Sequence, residues 1–289
     1  MVSYALVTPA RNERGNLARL AESVRIQQHR PDVWVIVDDG SDDGTRELGA
    51  ELAAAEPWIR VVERAHAGDG QLERGRREGR DLDSFRAGVL SLERRFDVVA
   101  KVDADLSFDK AYLGELVSRF SSNPRLGIAS GACCEMKNGE WIRRRIVRST
   151  VWGASRAYRW EALDAVMELE PRMGWDGLDE LRAHRAGWET KAFIELLFRH
   201  HRPEHSREPG RWHAHVAQGR ASWYMGYRPS YLALRSVYRA REEIAALAMP
   251  WGYLWAAIGR EPRFPEPDMR RALRDRQRLS RALRSGVPE

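Results

Sequence analysis

The sequence predicts an α/β protein, with a mostly parallel central sheet flanked by helices and a helical C-terminal appendage. Three observations carry that reading. Short β-prone apolar runs alternate with amphipathic stretches through the first half, the signature of βαβ units. The rhythm changes after Ser130 to shorter pieces rich in Trp and Arg, and from Tyr224 onward the pattern is helical, with a basic tail beginning near Arg260.

The predicted strands are Tyr4 to Thr8, Val33 to Val37, Ile59 to Val62 and Val98 to Val102. Between them, apolar positions recur every three to four residues from about Glu13 to Gln28, Asp43 to Ala55 and Leu82 to Phe96, as one helix face requires. A further helix is expected from Lys110 to Phe120, closed by "SSNP". The stretch Arg64 to Asp83 is rich in Gly, Arg and Glu, lacks an apolar stripe and reads as a loop, either a basic lid over phosphates or a solvated insertion. These elements suggest an α/β core over residues 1–215 followed by a helical appendage over 216–289. The apolar run Ile244 to Ile258 contains Pro250, is too short to cross a bilayer comfortably, and is expected to pack into the core.

Composition narrows the class. With 289 residues, 43% hydrophobic and 31% charged, the chain is globular rather than disordered. A net charge of +6 suits an anionic partner: a phosphorylated ligand, a membrane surface or nucleic acid. No nucleic-acid-binding module is visible, so no nucleic-acid partner is expected. Cys133 and Cys134 are sequence neighbours, poorly placed for a mutual disulfide, which favours a reducing compartment. The opening "SYALVTPA" lacks a secretory pattern, so a cytoplasmic chain is expected.

In a parallel sheet, ligands sit outside the carboxyl ends of the strands. Three stretches place polar groups there: "VTPARNE", "VDDGSDDGT" and "VAKVDADLSF". Two carboxylates in an Asp-x-Asp turn repel each other unless a cation or proton lies between them, and hard oxygens suit magnesium or manganese, which also bind phosphates. Asp103 and Asp105 therefore read as a metal and diphosphate station, with helix capping as the plainer alternative.

Taken with the later "GWDGLDELRAHRAGW", these motifs occur in an order and spacing that resemble the family 2 glycosyltransferases of the GT-A type, over about residues 2–200. The subgroup resembles inverting, bacterial, single-domain enzymes; only a loose echo of the Gln-x-x-Arg-Trp element of the membrane synthases occurs near "QGRASW". The resemblance implies a hexosyltransferase-like enzyme with a nucleotide-diphosphate sugar donor of UDP or GDP type, a hydroxyl acceptor and a Mg2+ or Mn2+ cofactor. By position, Thr8, Pro9, Ala10 and Glu13 would line the base and ribose, Asp39 would accept a hydrogen bond from the base, and Asp103 would touch ribose or metal. Asp105 would hold the metal against both phosphates. Asp176 best matches the base that deprotonates the acceptor, with Asp179 as runner-up, and Trp175 and Glu180 would meet acceptor or sugar. The competing reading for these helix acids is that they favour the positive end of a helix.

His200 or His201 could complete the metal shell, with His201 preferred and Arg202 or Arg211 neutralising phosphate. Zinc is not expected, because neither histidine run has a dependable zinc spacing and the cysteines lie far away in sequence. The basic C-terminal helices form either a cap on the catalytic core or a peripheral contact with the inner face of the membrane that presents a lipid-linked acceptor. Two rival functions remain: a nucleotidyltransferase making a nucleotide sugar, and a non-catalytic nucleotide-sugar-binding scaffold that has no use for Asp176.

Overall fold

The computed structural model describes residues 1–64, 79–144, 150–202, 210–241 and 243–278. Most of the loop expected between Arg64 and Asp83 lies outside them. The sheet begins with β1 (Tyr4–Ala10), β2 (Val33–Asp38), β3 (Ile59–Glu63) and β4 (Val98–Val102). β2 pairs in parallel with both β1 and β3, and β1 pairs in parallel with β4. All six residues of β2 and all five of β4 are buried, because helices cover both faces.

Helices α1 (Arg14–Arg25), α2 (Thr45–Ala55) and α3 (Arg80–Leu90) connect these strands. The first buries Leu17, Leu20, Ala21 and Val24, the spacing of one helical face. α2 starts after Gly44, whose φ of 89° favours glycine, and the Asp43 carboxylate accepts from the Thr45 amide and hydroxyl. α3 ends six residues earlier than the apolar pattern suggests, where Ser91 donates its hydroxyl to the Gly88 carbonyl and the backbone leaves the helix.

The second half continues with β5 (Leu106–Phe108), α4 (Tyr112–Ser122), β6 (Leu126–Lys137), β7 (Glu140–Arg143), β8 (Ser155–Arg159), α5 (Asp164–Met167), α6 (Trp175–Arg185) and β9 (Glu189–His200). The strand order is β3-β2-β1-β4-β8-β6-β9-β5, with β7 on β6. β8 runs antiparallel to β4 and β6, while β6 and β9 run parallel. The sheet is thus parallel through its first four strands and mixed beyond them, joined through β4. One apolar cluster packs on each face of the sheet. The order reverses at β1, which lies between β2 and β4, so the crevice at their carboxyl ends is where a ligand would enter.

The helical region comprises α7 (Arg211–Met225), α8 (Pro229–Arg239), a 3-10 segment (Ile244–Ala248), α9 (Met249–Ile258) and α10 (Pro267–Arg276). Tyr224 and Met225 of α7 join the cluster under α6, which ties this region to the sheet. No described helix is long and apolar enough to cross a membrane.

Candidate active site

The strand-end carboxylates lie along one edge of the sheet, each held differently. After β2, Asp38 accepts from the amides of Gly40 and Ser41, which closes the turn. Asp39, 5% exposed, receives Arg64 Nη1 at 3.0 Å and Arg80 Nε at 2.9 Å. After β1, Glu13 is also buried, and Arg202 donates to both its oxygens at 2.7 and 2.6 Å. That bidentate pair clamps the end of β1 to the chain just past β9. Thr8 is fully buried and accepts from the Trp34 indole at 2.9 Å, and Ala10 is buried with it, so neither side chain opens toward a nucleotide; Pro9 is half-buried.

Beyond β4, Asp103 is tied to Lys101, a lysine 1% exposed in the middle of an apolar strand. Burial alone would strip Lys101 of its proton, but Asp103 and Asp81 outweigh it and raise its pKa. Burial likewise raises the Asp103 pKa, opposed by Lys101 and reinforced by Asp105. Asp105 behaves oppositely: burial pushes it up, yet His200 and Arg202 more than compensate and hold it below the usual carboxylate range.

His200 Nε2 stands 3.5 Å from Asp105 Oδ1, and its Nδ1 stands 3.7 Å from Glu135 Oε1. Burial works against a charge on His200, but Asp105, Cys133 and Glu135 override it and push its pKa up to about 12. His201 points elsewhere: its Nε2 is 2.7 Å from the Ser107 hydroxyl and its ring meets Trp141 edge-on. The alternation of β9 places His200 rather than His201 against the Asp105 side chain.

Cys133, Glu135 and His200 each offer one ligand atom, all within 4.8 Å of one another. Sequence distance is misleading here, since β6 pairs with β9 in a register that sets Glu135 opposite His200. Asp105 and Glu135 are the residues that would hold a divalent ion, with the His200 imidazole joining them once it gives up its proton. Asp105 Oδ1 and Glu135 Oε1 are buried oxygens that face the His200 ring at 3.5 and 3.7 Å with no closer hydrogen bond among the described residues, and a cation would engage both.

The helix acids divide sharply. Asp176 opens α6 and is half-buried, and a Cβ built on Gly153 would come within 2.7 Å of its Oδ2. The Gly153 carbonyl in turn accepts from Lys101 Nζ at 3.2 Å. Asp103, Lys101, Gly153 and Asp176 therefore form one contiguous path, bringing the Asp-x-Asp turn and the start of α6 to the same flank.

Asp179 and Glu180 face inward instead. Asp179 is fully buried, bonded by Arg156 Nη1 and, at 2.7 Å, by the Tyr158 hydroxyl. Glu180 accepts from Arg156 Nη2 at 2.8 Å and from the Val151 amide at 2.9 Å. Arg156 is 1% exposed, and one cation serves both carboxylates. Burial, with Asp179 adding to it, raises the Glu180 pKa to about 8 against the pull of Arg156. Neither acid reaches an acceptor in this arrangement. Trp175 is 4% exposed; its indole donates to Asp81 at 3.1 Å and its ring faces Lys101 and Arg156, so it packs under the site rather than offering a face to a sugar.

Lys101, Asp81, Arg156, Gly153 and the Cys133–Glu135 pair escape sequence reasoning. A signal exists for the first: a lysine inside "VVAKV" needs a buried partner. A cavity of about 230 Å³ lined by Ser3, Asp97 and Arg159 lies at the opposite, amino-terminal end of β1 and β4, away from these groups.

The fold is shared with known proteins. The model of the family described as Glycosyl transferase family 2 matches residues 5–75. The polyprenol monophosphomannose synthase of Mycolicibacterium smegmatis is 28% identical over 178 residues, 56% of this chain and 63% of that protein. The chain thus spans less than two thirds of that relative's length. Mannosyltransferase PcManGT from Pyrobaculum calidifontis, in complex with GDP-Man and Mn2+, superposes with a TM-score of 0.55 at 14% identity, over 99% of this chain and 76% of that one. TarS of S. aureus in complex with UDP-GlcNAc gives 0.53 at 14% identity, over 75% and 64%. The architecture is that of the GT-A glycosyltransferases. Within that fold, residues 5–75 match the family 2 glycosyltransferase pattern.

Proposed function

We propose that this protein transfers a sugar from a nucleotide-diphosphate donor to an acceptor hydroxyl, inverting the anomeric configuration, with Asp176 as general base. The observation that carries the reading is the path from Asp103 through Lys101 and Gly153 to Asp176, which sets a half-exposed carboxylate beside the Asp-x-Asp turn. Asp176 would accept the hydroxyl proton as that oxygen attacks the anomeric carbon from the face opposite the departing diphosphate; base assistance of this kind accelerates reactions roughly 10²–10⁴-fold. Asp105 and His200, with Glu135 behind, are the residues that would hold Mg2+ or Mn2+, and the bound ion would supply charge neutralisation for the diphosphate.

Asp39 and Pro9 would meet the base. The two arginines on Asp39 must share it with, or yield it to, an N–H of uracil or guanine. Asp179, Glu180 and Trp175 are assigned to the support of α6. The mannose-specific relatives favour a GDP-sugar, while the TarS complex keeps UDP-sugars open. Cys133 and Cys134 form no disulfide, in keeping with a cytoplasmic location. A nucleotidyltransferase is less favoured because "VTPARNE" supplies no glycine-rich phosphate loop after β1.

The test is thermal shift and product analysis with Mn2+ and a panel of UDP-, GDP- and dTDP-sugars. Stabilisation by one nucleotide class with release of its diphosphate, lost in Asp105→Asn, is the expected outcome. Pyrophosphate release from a nucleoside triphosphate and a sugar phosphate would move the protein to the rival class.

A further inference from the structure

The run Ile244–Ile258 turns only one face into the protein. Ala246, Ala248, Met249, Gly252, Tyr253 and Ala256 are buried. They press closely on α7: a Cβ on Gly219 would stand 2.0 Å from the Met249 carbonyl oxygen, and one on Gly252 would stand 2.0 Å from that of Val216. The opposite face is a stripe of Ile244, Leu247, Trp251, Leu254, Trp255 and Ile258, all exposed, from 46% at Leu247 to 77% at Ile244. Their spacing of three and four residues is that of one helix surface. Single exposed apolar residues are ordinary, but six large ones on one stripe mark a surface that is covered in use. The sequence expectation of simple core packing therefore holds for half of this segment.

Charge indicates what covers it. Residues 216–289 contain fourteen arginines and seven carboxylates, a net +7, so the whole chain's +6 leaves residues 1–215 at −1. Exposed Arg241 and Arg260 bracket the stripe. The neighbouring acids are engaged on α7, Glu243 with Arg211 and His215 and Glu261 with Arg220. The indoles of Trp251 and Trp255, 6.2 Å apart, combine an apolar body with a polar N–H, which suits the boundary between hydrocarbon and headgroups.

We propose that this face lies on the surface of an anionic lipid bilayer, with the apolar stripe of α9 inserted and the surrounding arginines meeting the headgroups. A second copy of the chain would cover the stripe only by bringing two strongly cationic units together, whereas anionic headgroups neutralise them. The inference does not depend on the glycosyl-transfer reading, and it locates the contact in α9 rather than in the basic terminal helix.

Cosedimentation of the whole protein with phosphatidylglycerol-rich and with pure phosphatidylcholine vesicles tests it. Binding to the anionic vesicles that weakens with salt is expected, falling by about tenfold or more in a Trp251→Glu, Trp255→Glu double variant. Both side chains are exposed, so the melting temperature should not change, and Ile258→Glu should give a smaller loss in the same direction. Absence of binding to anionic vesicles, or equal binding by the double variant, overturns the proposal. So does a dimer in sedimentation velocity that the double variant dissolves, since the occupant would then be a second copy.

Discussion

Two acidic groups lie within little more than one turn of α6, and they serve opposite ends. Asp176 is half-buried against a glycine at the edge of the strand-end carboxylates, whereas Asp179 and Glu180 are sealed around Arg156. The difference teaches that an acidic motif at a helix start is a mixture. One carboxylate keeps its access to solvent while the others hold the helix to the sheet. At the strand ends the carboxylates likewise differ in partner: Asp103 is engaged by Lys101 and Asp39 by two arginines, while Asp105 faces His200.

The largest expected effect breaks the sealed side. Arg156→Met would leave two buried carboxylates without their shared cation and cost about 3–5 kcal/mol of stability, measured by denaturant unfolding. If the loss were within a few tenths of a kcal/mol, the two halves of α6 would not differ as described. Next, Gly153→Ala presses a methyl into the Asp176 carboxylate; displacement of a reacting group by about 1 Å costs roughly a hundredfold in turnover, so kcat should fall steeply while the melting temperature changes little.

The smallest effect concerns pH. The folded chain keeps a proton on Glu180 up to about pH 8, while the unfolded chain releases it in the ordinary carboxylate range. Between those limits the folded state binds more protons, so this group makes stability fall as pH rises. Glu180→Gln should flatten the dependence of melting temperature on pH across that window. An unchanged slope would show that Glu180 titrates normally.

Much of this was legible in the sequence, for reasons that differ by element. β1, β2, β3 and β4 start where their apolar runs predict; burial on both faces demands such runs in β1, β2 and β4, while β3 is a half-exposed edge strand. Asp39 and Asp105 follow β2 and β4 as strand-end logic expects, whereas the reading of Asp176, in the first turn of α6, comes from the family resemblance. What sequence could not show is direction. The apolar run predicts that Thr8 ends its strand, yet β1 runs on to Ala10 and turns the Thr8 side chain into the core beneath Trp34. Strand alternation exchanges His201 for His200, and the β6–β9 register, a contact between distant segments, brings in Glu135. Trp175 sits within the motif but is buried, since a large ring packs wherever a cavity between helix and sheet needs filling.

The central claim is that Asp176 alone among the acids of α6 faces the reaction. Steady-state transfer and donor binding in Asp176→Asn test it most directly. The arrangement predicts a kcat lower by roughly 10²–10⁴-fold with the melting temperature and nucleotide affinity preserved. Full turnover in Asp176→Asn would contradict it.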